Sequence, residues 1–175
     1  MTAWRAWAYM LLFAVLAAYY LATEPRSQEP VPQAPAARQA FLALAKDDVR
    51  AVTIEHGSVT VECVREGARW RVQRPAGSRI PSDLIAALLD QLTEVPEVEV
   101  VDESGQGAAA FGLEPPQARV ILTGSDGRRV AVALGERNPA QTAVYGRVEG
   151  AARIVLLGLN VIYYQELIAQ GAGPG

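Results

Sequence analysis

One cysteine, one histidine and one lysine are all that this 175-residue chain holds of three side chains that carry much of protein chemistry. Cys63 is alone, so no internal disulfide exists and a disulfide-stapled scaffold is excluded. It alternates with Val59 and Val61, where a small buried hydrophobe is the usual role. His56 is alone too, which rules out a metal site built on imidazoles. Any Ser-His-Asp or Cys-His pair must use that one residue, and it precedes Gly57 in a turn-like stretch where an exposed polar residue is expected. Lys46 is the sole lysine, so no phosphate-binding Walker motif is present, and Gly105-Gln106-Gly107 lacks the strand–loop–helix setting of a dinucleotide site.

Charge of one sign is also lacking. The net charge is −3, and no basic stripe marks a nucleic-acid binder. The nearest candidate has Arg at 65, 69, 71, 74 and 79, broken by Glu66, and on a strand those positions fall on different faces. Glu94, Glu97, Glu99, Asp102 and Glu103 gather acid, but alternation with Val98 and Val100 makes them the solvated side of a strand. The tight Asp/Asn/Gly spacing of a calcium loop is missing. No catalytic constellation, cofactor, metal or nucleic acid is therefore expected.

What is present begins with residues 6–22, AWAYMLLFAVLAAYYLA, a run without charge, proline or glycine. As a helix it spans roughly 25 Å, close to the ~30 Å of a hydrocarbon core once its flanks are added. Trp4, Trp7 and Tyr9 at one end, and Tyr19 and Tyr20 at the other, suit the two headgroup levels, with Phe13 between them. A cleaved signal peptide also pairs a basic start with an apolar run, but needs small residues at its cleavage site, where this chain has Tyr19-Tyr20-Leu21. No cysteine follows the run, which excludes a lipoprotein anchor. The reading is a single-pass anchor in the bilayer, a head of residues 1–5 inside and the rest in the periplasm or exterior.

Residues 23–47 are a tether in which residues 23–37, with Pro25, Pro30, Pro32 and Pro35, read as a semi-rigid spacer. Residues 36–45 allow a short helix with Phe41, Leu42 and Leu44 on its apolar side, packed on the module or continuing the stalk. The module spans residues 48–170, followed by a tail at 171–175. Period-two alternation predicts strands at 49–55, 58–64 and 70–75, joined by short Gly-bearing turns. Apolar residues at 84, 85, 88, 89 and 92 predict a helix, with Ser82 or Asp83 as its cap, and a strand follows near 97–101. Two more strand pairs turn at Asp126-Gly127 and Glu149-Gly150, and a last helix runs from Asn160 as cap to Ile168. The prediction is an α+β fold: a mainly antiparallel sheet of two strand-meander-plus-helix halves, helices on one face.

Trp70-Arg71-Val72, the helix at 84–92, Phe111-Gly112-Leu113-Glu114-Pro115, Leu134-Gly135-Glu136 and Val144-Tyr145-Gly146-Arg147 together resemble the DUF4340 family, over roughly residues 45–170. That family is a bacterial domain of unknown function, usually behind one N-terminal membrane helix. The resemblance implies an accessory role beside ABC-type envelope transport components and carries over no catalytic residue. The expected function is a non-catalytic module that binds another envelope or membrane protein. The alternative is a domain for a small ligand or envelope polymer, with a groove between the sheet and residues 111–116. Candidate contacts are Phe111, Gly112, Leu113 and Pro115, then Arg137 and Asn138 in a loop between strands, and Tyr145. Tyr163 and Tyr164 complete the set, on a final helix apolar over most of its circumference and so expected to be buried on more than one side.

Overall fold

Alternation is what seats the first strands. In β1 (Val49–His56), Val52 and Ile54 are buried, and in β2 (Val59–Glu66), Val61 and Cys63 are. Pairing sets Val52 opposite Cys63 and Ile54 opposite Val61, so the four side chains share one side. The computed structural model describes residues 7, 10–13, 15–16, 41–94 and 98–172. Residues Arg38–Gly175 form one compact unit.

β3 (Arg69–Arg74) completes the first meander, and helix α1 (Ser82–Thr93) follows. Then come β4 (Glu99–Asp102), β5 (Ala118–Gly124), β6 (Arg129–Arg137), β7 (Ala143–Val148), β8 (Ile154–Gly158) and helix α2 (Leu159–Gly171). All eight strands make one antiparallel sheet in the order β3-β2-β1-β5-β6-β7-β8-β4. The two halves therefore merge through β1 against β5, while β4 leaves its own half and closes the far edge beside β8. Ile85, Leu88, Leu89 and Leu92 of α1 and Val161, Ile162 and Ile168 of α2 join the strand residues in one core. That core is the main source of stability, since each fully buried aliphatic side chain is worth about 1.5–3 kcal/mol.

Neither helix is capped as the sequence suggests. α1 starts at Ser82 after Pro81, and Ser82 Oγ instead accepts the Trp70 N–H at 2.8 Å, tying β3 to the helix start. α2 starts one residue before Asn160, with Gly158 at the cap and no side-chain capping bond. α2 is also buried on one side only: Val161, Ile162, Gln165, Ile168 and Ala169 face inward, while Tyr163 is 55% exposed.

Phe41, Leu42 and Leu44 are buried in the core, so the stretch before Lys46 packs on the unit rather than extending away. No helix forms over residues 41–45; the chain bends there and makes a short 3-10 turn at Lys46–Asp48. Lys46 pairs with Asp90 of α1 and with Glu94 just past its end, and the hydrogen bond to Asp90 leads in raising the ammonium pKa. Arg65 donates to the Lys46 and Asp47 carbonyls and lies over the Trp70 ring. With Arg71 on Glu66 and Arg74 on Glu62, three of the arginines of the 65–79 stretch are committed to partners within the unit.

The described residues of the apolar run are helical, and their side chains, Trp7 and Phe13 among them, are exposed. Among the described residues no helix is long and apolar enough to cross a membrane. Most of the expected anchor, including Trp4, Tyr9, Tyr19 and Tyr20, lies outside them, as do the spacer at 23–37 and the end of the tail.

Cys63 is fully buried, and that burial pushes its thiol pKa up to about 12. The native thiol is therefore expected to resist thiol reagents at pH 8 and to react on unfolding. Between about pH 9 and about 12 the unfolded thiol ionises while the folded one stays protonated, so its contribution is lost as pH rises through that window. The slope is at most ~1.4 kcal/mol per pH unit. Comparing denaturant midpoints of the wild type and Cys63→Val across that window isolates the effect; parallel curves would contradict it.

Candidate functional site

Residues 104–117 form a plug on the side of the sheet away from the helices. Its entrance is fixed by Asp102, whose Oδ1 accepts both the N–H and the hydroxyl of Ser104 at 2.7 Å. Those bonds hold the Asp102 carboxyl below the usual carboxylate range. A 3-10 turn, Ala108–Phe111, is bounded by Gly107 and Gly112, both with left-handed φ (78° and 67°). Ala108 and Leu113 are buried against Ala133 and Ile154, with Phe111 and Tyr145 packed around them. The Phe111 and Tyr145 rings meet edge to face at 4.8 Å.

The plug meets β6 backbone to backbone. A Cβ on Gly135 would lie 2.1 Å from the Phe111 carbonyl oxygen, and one on Gly112 would lie 2.5 Å from Glu136 Cγ. The Gln117 N–H donates to the Leu134 carbonyl at 2.9 Å, and Arg147 reaches Glu114 at 2.9 Å. The expected groove between the sheet and residues 111–116 is thus closed where Phe111 and Gly112 lie on β6. Phe111, Gly112 and Leu113 sit here as anchors, while Pro115 follows a cis peptide bond at the plug's far end.

Arg137 and Asn138 lie elsewhere. The stretch 134–137 is not a loop but the end of β6, with a register shift between Leu134 and Arg137 on its partner β7. Gly135 reads as a turn residue in sequence; its real requirement is the close approach of Phe111. Arg137 faces Glu166 of α2 at 4.0 Å. Asn138 Oδ1 accepts the Thr142 and Ala143 N–H groups at 2.8 and 3.1 Å, so it closes the β6–β7 turn. Asn138→Ala is expected to cost about 1–2 kcal/mol, measured as a shift in the unfolding midpoint. Tyr163 and Tyr164 stack edge to face at 5.6 Å on α2. The structure brings Phe111, Gly112, Leu113 and Tyr145 together and leaves Arg137, Asn138, Tyr163 and Tyr164 apart from them.

The reactive groups stay separate. Cys63 lies opposite Val52, and His56 is four residues further along β1, a separation of about 13 Å at strand rise. Among the described residues no three of His, Cys, Asp and Glu come together to hold a metal ion.

Among the described residues two further surfaces stand out. On the side away from the helices, Ala51, Thr53, Ile121, Thr123 and Val64 are half-buried, and Arg119 bridges Glu55 and Glu149 beside them. The second is a groove of about 350 Å³ lined by Phe41, Leu42, Ala43, Arg128, Val130, Val148, Ala151 and Arg153. Sequence reasoning missed it, because its walls come from three distant segments. The apolar pair Phe41-Leu42, directly after a proline-rich spacer, was the only signal.

The family model described as "Domain of unknown function (DUF4340)" matches residues 70–167, more than half of the chain. No curated protein and no solved structure matches. The matched span begins at β3, yet β3 reaches the rest of the sheet only through β2 and β1, so the folded unit is larger than the match.

Proposed function

The chain belongs to the DUF4340 family, and on that footing we propose that it is a single-pass, membrane-anchored module with no catalysis of its own, facing the periplasm or exterior and binding another envelope protein as an accessory subunit. The uncharged, aromatic-bounded run at 6–22 supports the anchor, and the spacer after it supports a module held off the bilayer. The observation that carries the binding role is the mixed sheet surface of Ala51, Thr53, Ile121 and Thr123 with Arg119, Glu55 and Glu149 at its edge. A part-apolar, part-charged surface of this kind matches the make-up of non-obligate interfaces. The family resemblance suggests ABC-type transport components as the partner to look for first.

The test is copurification of the full-length protein from its native membrane in mild detergent, beside Ile121→Glu. Recovery of defined membrane subunits with the wild type, lost with Ile121→Glu, supports the proposal. Equal recovery with both variants, or a protein that comes back alone, contradicts it. A second reading, a small-ligand domain, is favoured by the 350 Å³ groove, which is within the size range of ligand sites.

A further inference from the structure

The groove beside Phe41 differs from an ordinary surface hollow in its charge. Its walls are aliphatic or aromatic at Phe41, Leu42, Val130 and Val148, and among the described residues its only charged lining residues are Arg128 and Arg153. Among the described residues no carboxylate lines it. Arg128 gives one Nη to the Ala43 carbonyl at 2.7 Å, which fastens the 41–44 stretch, and its nearest acid, Asp126, stands 3.9 Å away on the exposed turn. Arg153 is half-buried and has no acidic or hydrogen-bonding partner among the described residues. A guanidinium keeps its charge at any physiological pH, and partial burial raises the gain from meeting an anion. Apolar walls with two cations and no anion complement one class of small molecule, an aliphatic tail ending in a negative head.

We propose that this groove binds a single-tailed anionic amphiphile, with the tail between Phe41-Leu42 and Val130-Val148 and the head on Arg153 and Arg128. The volume admits one tail and is too small for a two-tailed lipid to enter whole. Arg153 supplies charge-assisted hydrogen bonds to the head, and Arg128 both contacts it and holds the groove wall. This site is independent of the membrane anchor: it needs only the folded unit and an anionic amphiphile in solution.

The experiment uses the full chain in phosphatidylcholine vesicles with a diazirine-bearing lysophosphatidic acid, and the matching lysophosphatidylcholine as zwitterionic control. A diazirine fatty acid forms a second anionic arm. After photolysis, peptide mass spectrometry is expected to place anionic label on peptides containing residues 41–43, 130 and 148, well above the control. Arg153→Gln, at a position outside any strand or helix, is expected to lower that labelling roughly tenfold or more. Ala151→Trp, at an exposed position on the groove wall, is expected to block it while thermal unfolding stays within a few degrees. Equal labelling by anionic and zwitterionic probes overturns the proposal, as does labelling unchanged in both variants. Groove labelling that appears only after deletion of residues 36–40 also overturns it, since the chain itself would then be the occupant. Failure of the anchor reads out separately, as protein that does not float with the vesicles.

Discussion

Gly135→Ala is expected to be among the most damaging single substitutions in the chain, lowering stability by about 3 kcal/mol and the melting temperature by roughly 10 °C. The new Cβ would stand 2.1 Å from the Phe111 carbonyl oxygen. Because the obstacle is backbone, no rotamer change relieves it. Either β6 shifts or the plug lifts, and lifting exposes Leu113 and Ala108, which are buried on Ala133 and Ile154. Gly112→Ala acts on the same contact from the other side, with a left-handed φ of 67° added to a 2.5 Å approach to Glu136 Cγ. Gly127→Ala is the control, since its φ of 80° is also strained but its Cβ meets nothing within 4 Å. Thermal melts of the three variants separate strain from close approach: a Gly135→Ala protein as stable as the wild type would sink this reading of the plug.

The second large effect has the opposite sign. Gln165 of α2 is fully buried, and neither its Oε1 nor its Nε2 has a hydrogen-bond partner among the described residues. An unpaired buried amide costs about 1–3 kcal/mol, whereas an apolar side chain of similar volume costs nothing of that kind. Gln165→Met is therefore expected to stabilise the protein by about 1–3 kcal/mol, read as a higher urea midpoint with an unchanged slope. A lower midpoint would show that the amide is bonded and contributes to the fold. A higher midpoint would also turn attention to α2 as a functional element, because a polar group kept in a core against stability is a sign of selection for something else.

Period-two and helical patterns made most of the elements legible, because one buried face imposes them directly on the residues. The strands at 49–66 and 118–134 and the helix at 84–92 are cases where local pattern and tertiary burial agree. Non-local requirements were less visible. Ser82 looks like a cap, yet its hydroxyl is used by Trp70 twelve residues earlier. Gly135 looks like a turn, yet it lies in a strand that a distant backbone crosses. The place of β4 at the far edge beside β8 follows from sheet order, which no local signal encodes. The aromatic-Gly-Leu block was legible as an anchor, but the close approach of Phe111 and Gly112 to β6 was not. The groove beside Phe41 is assembled by Phe41, Arg128 and Arg153, residues separated along the chain by more than any pattern spans.

The reading as an anchored, outward-facing module is tested most directly by the chain's own cysteine content. Buried Cys63 leaves a nearly silent background, so a single Ala140→Cys in the exposed β6–β7 turn gives one reactive thiol on the module. Intact cells would be treated with a membrane-impermeant maleimide, then fractionated and extracted with alkaline carbonate. The account predicts labelling of Ala140→Cys without permeabilisation and protein retained in the carbonate-washed membrane. Labelling only after permeabilisation, or release of the protein by carbonate, would contradict it.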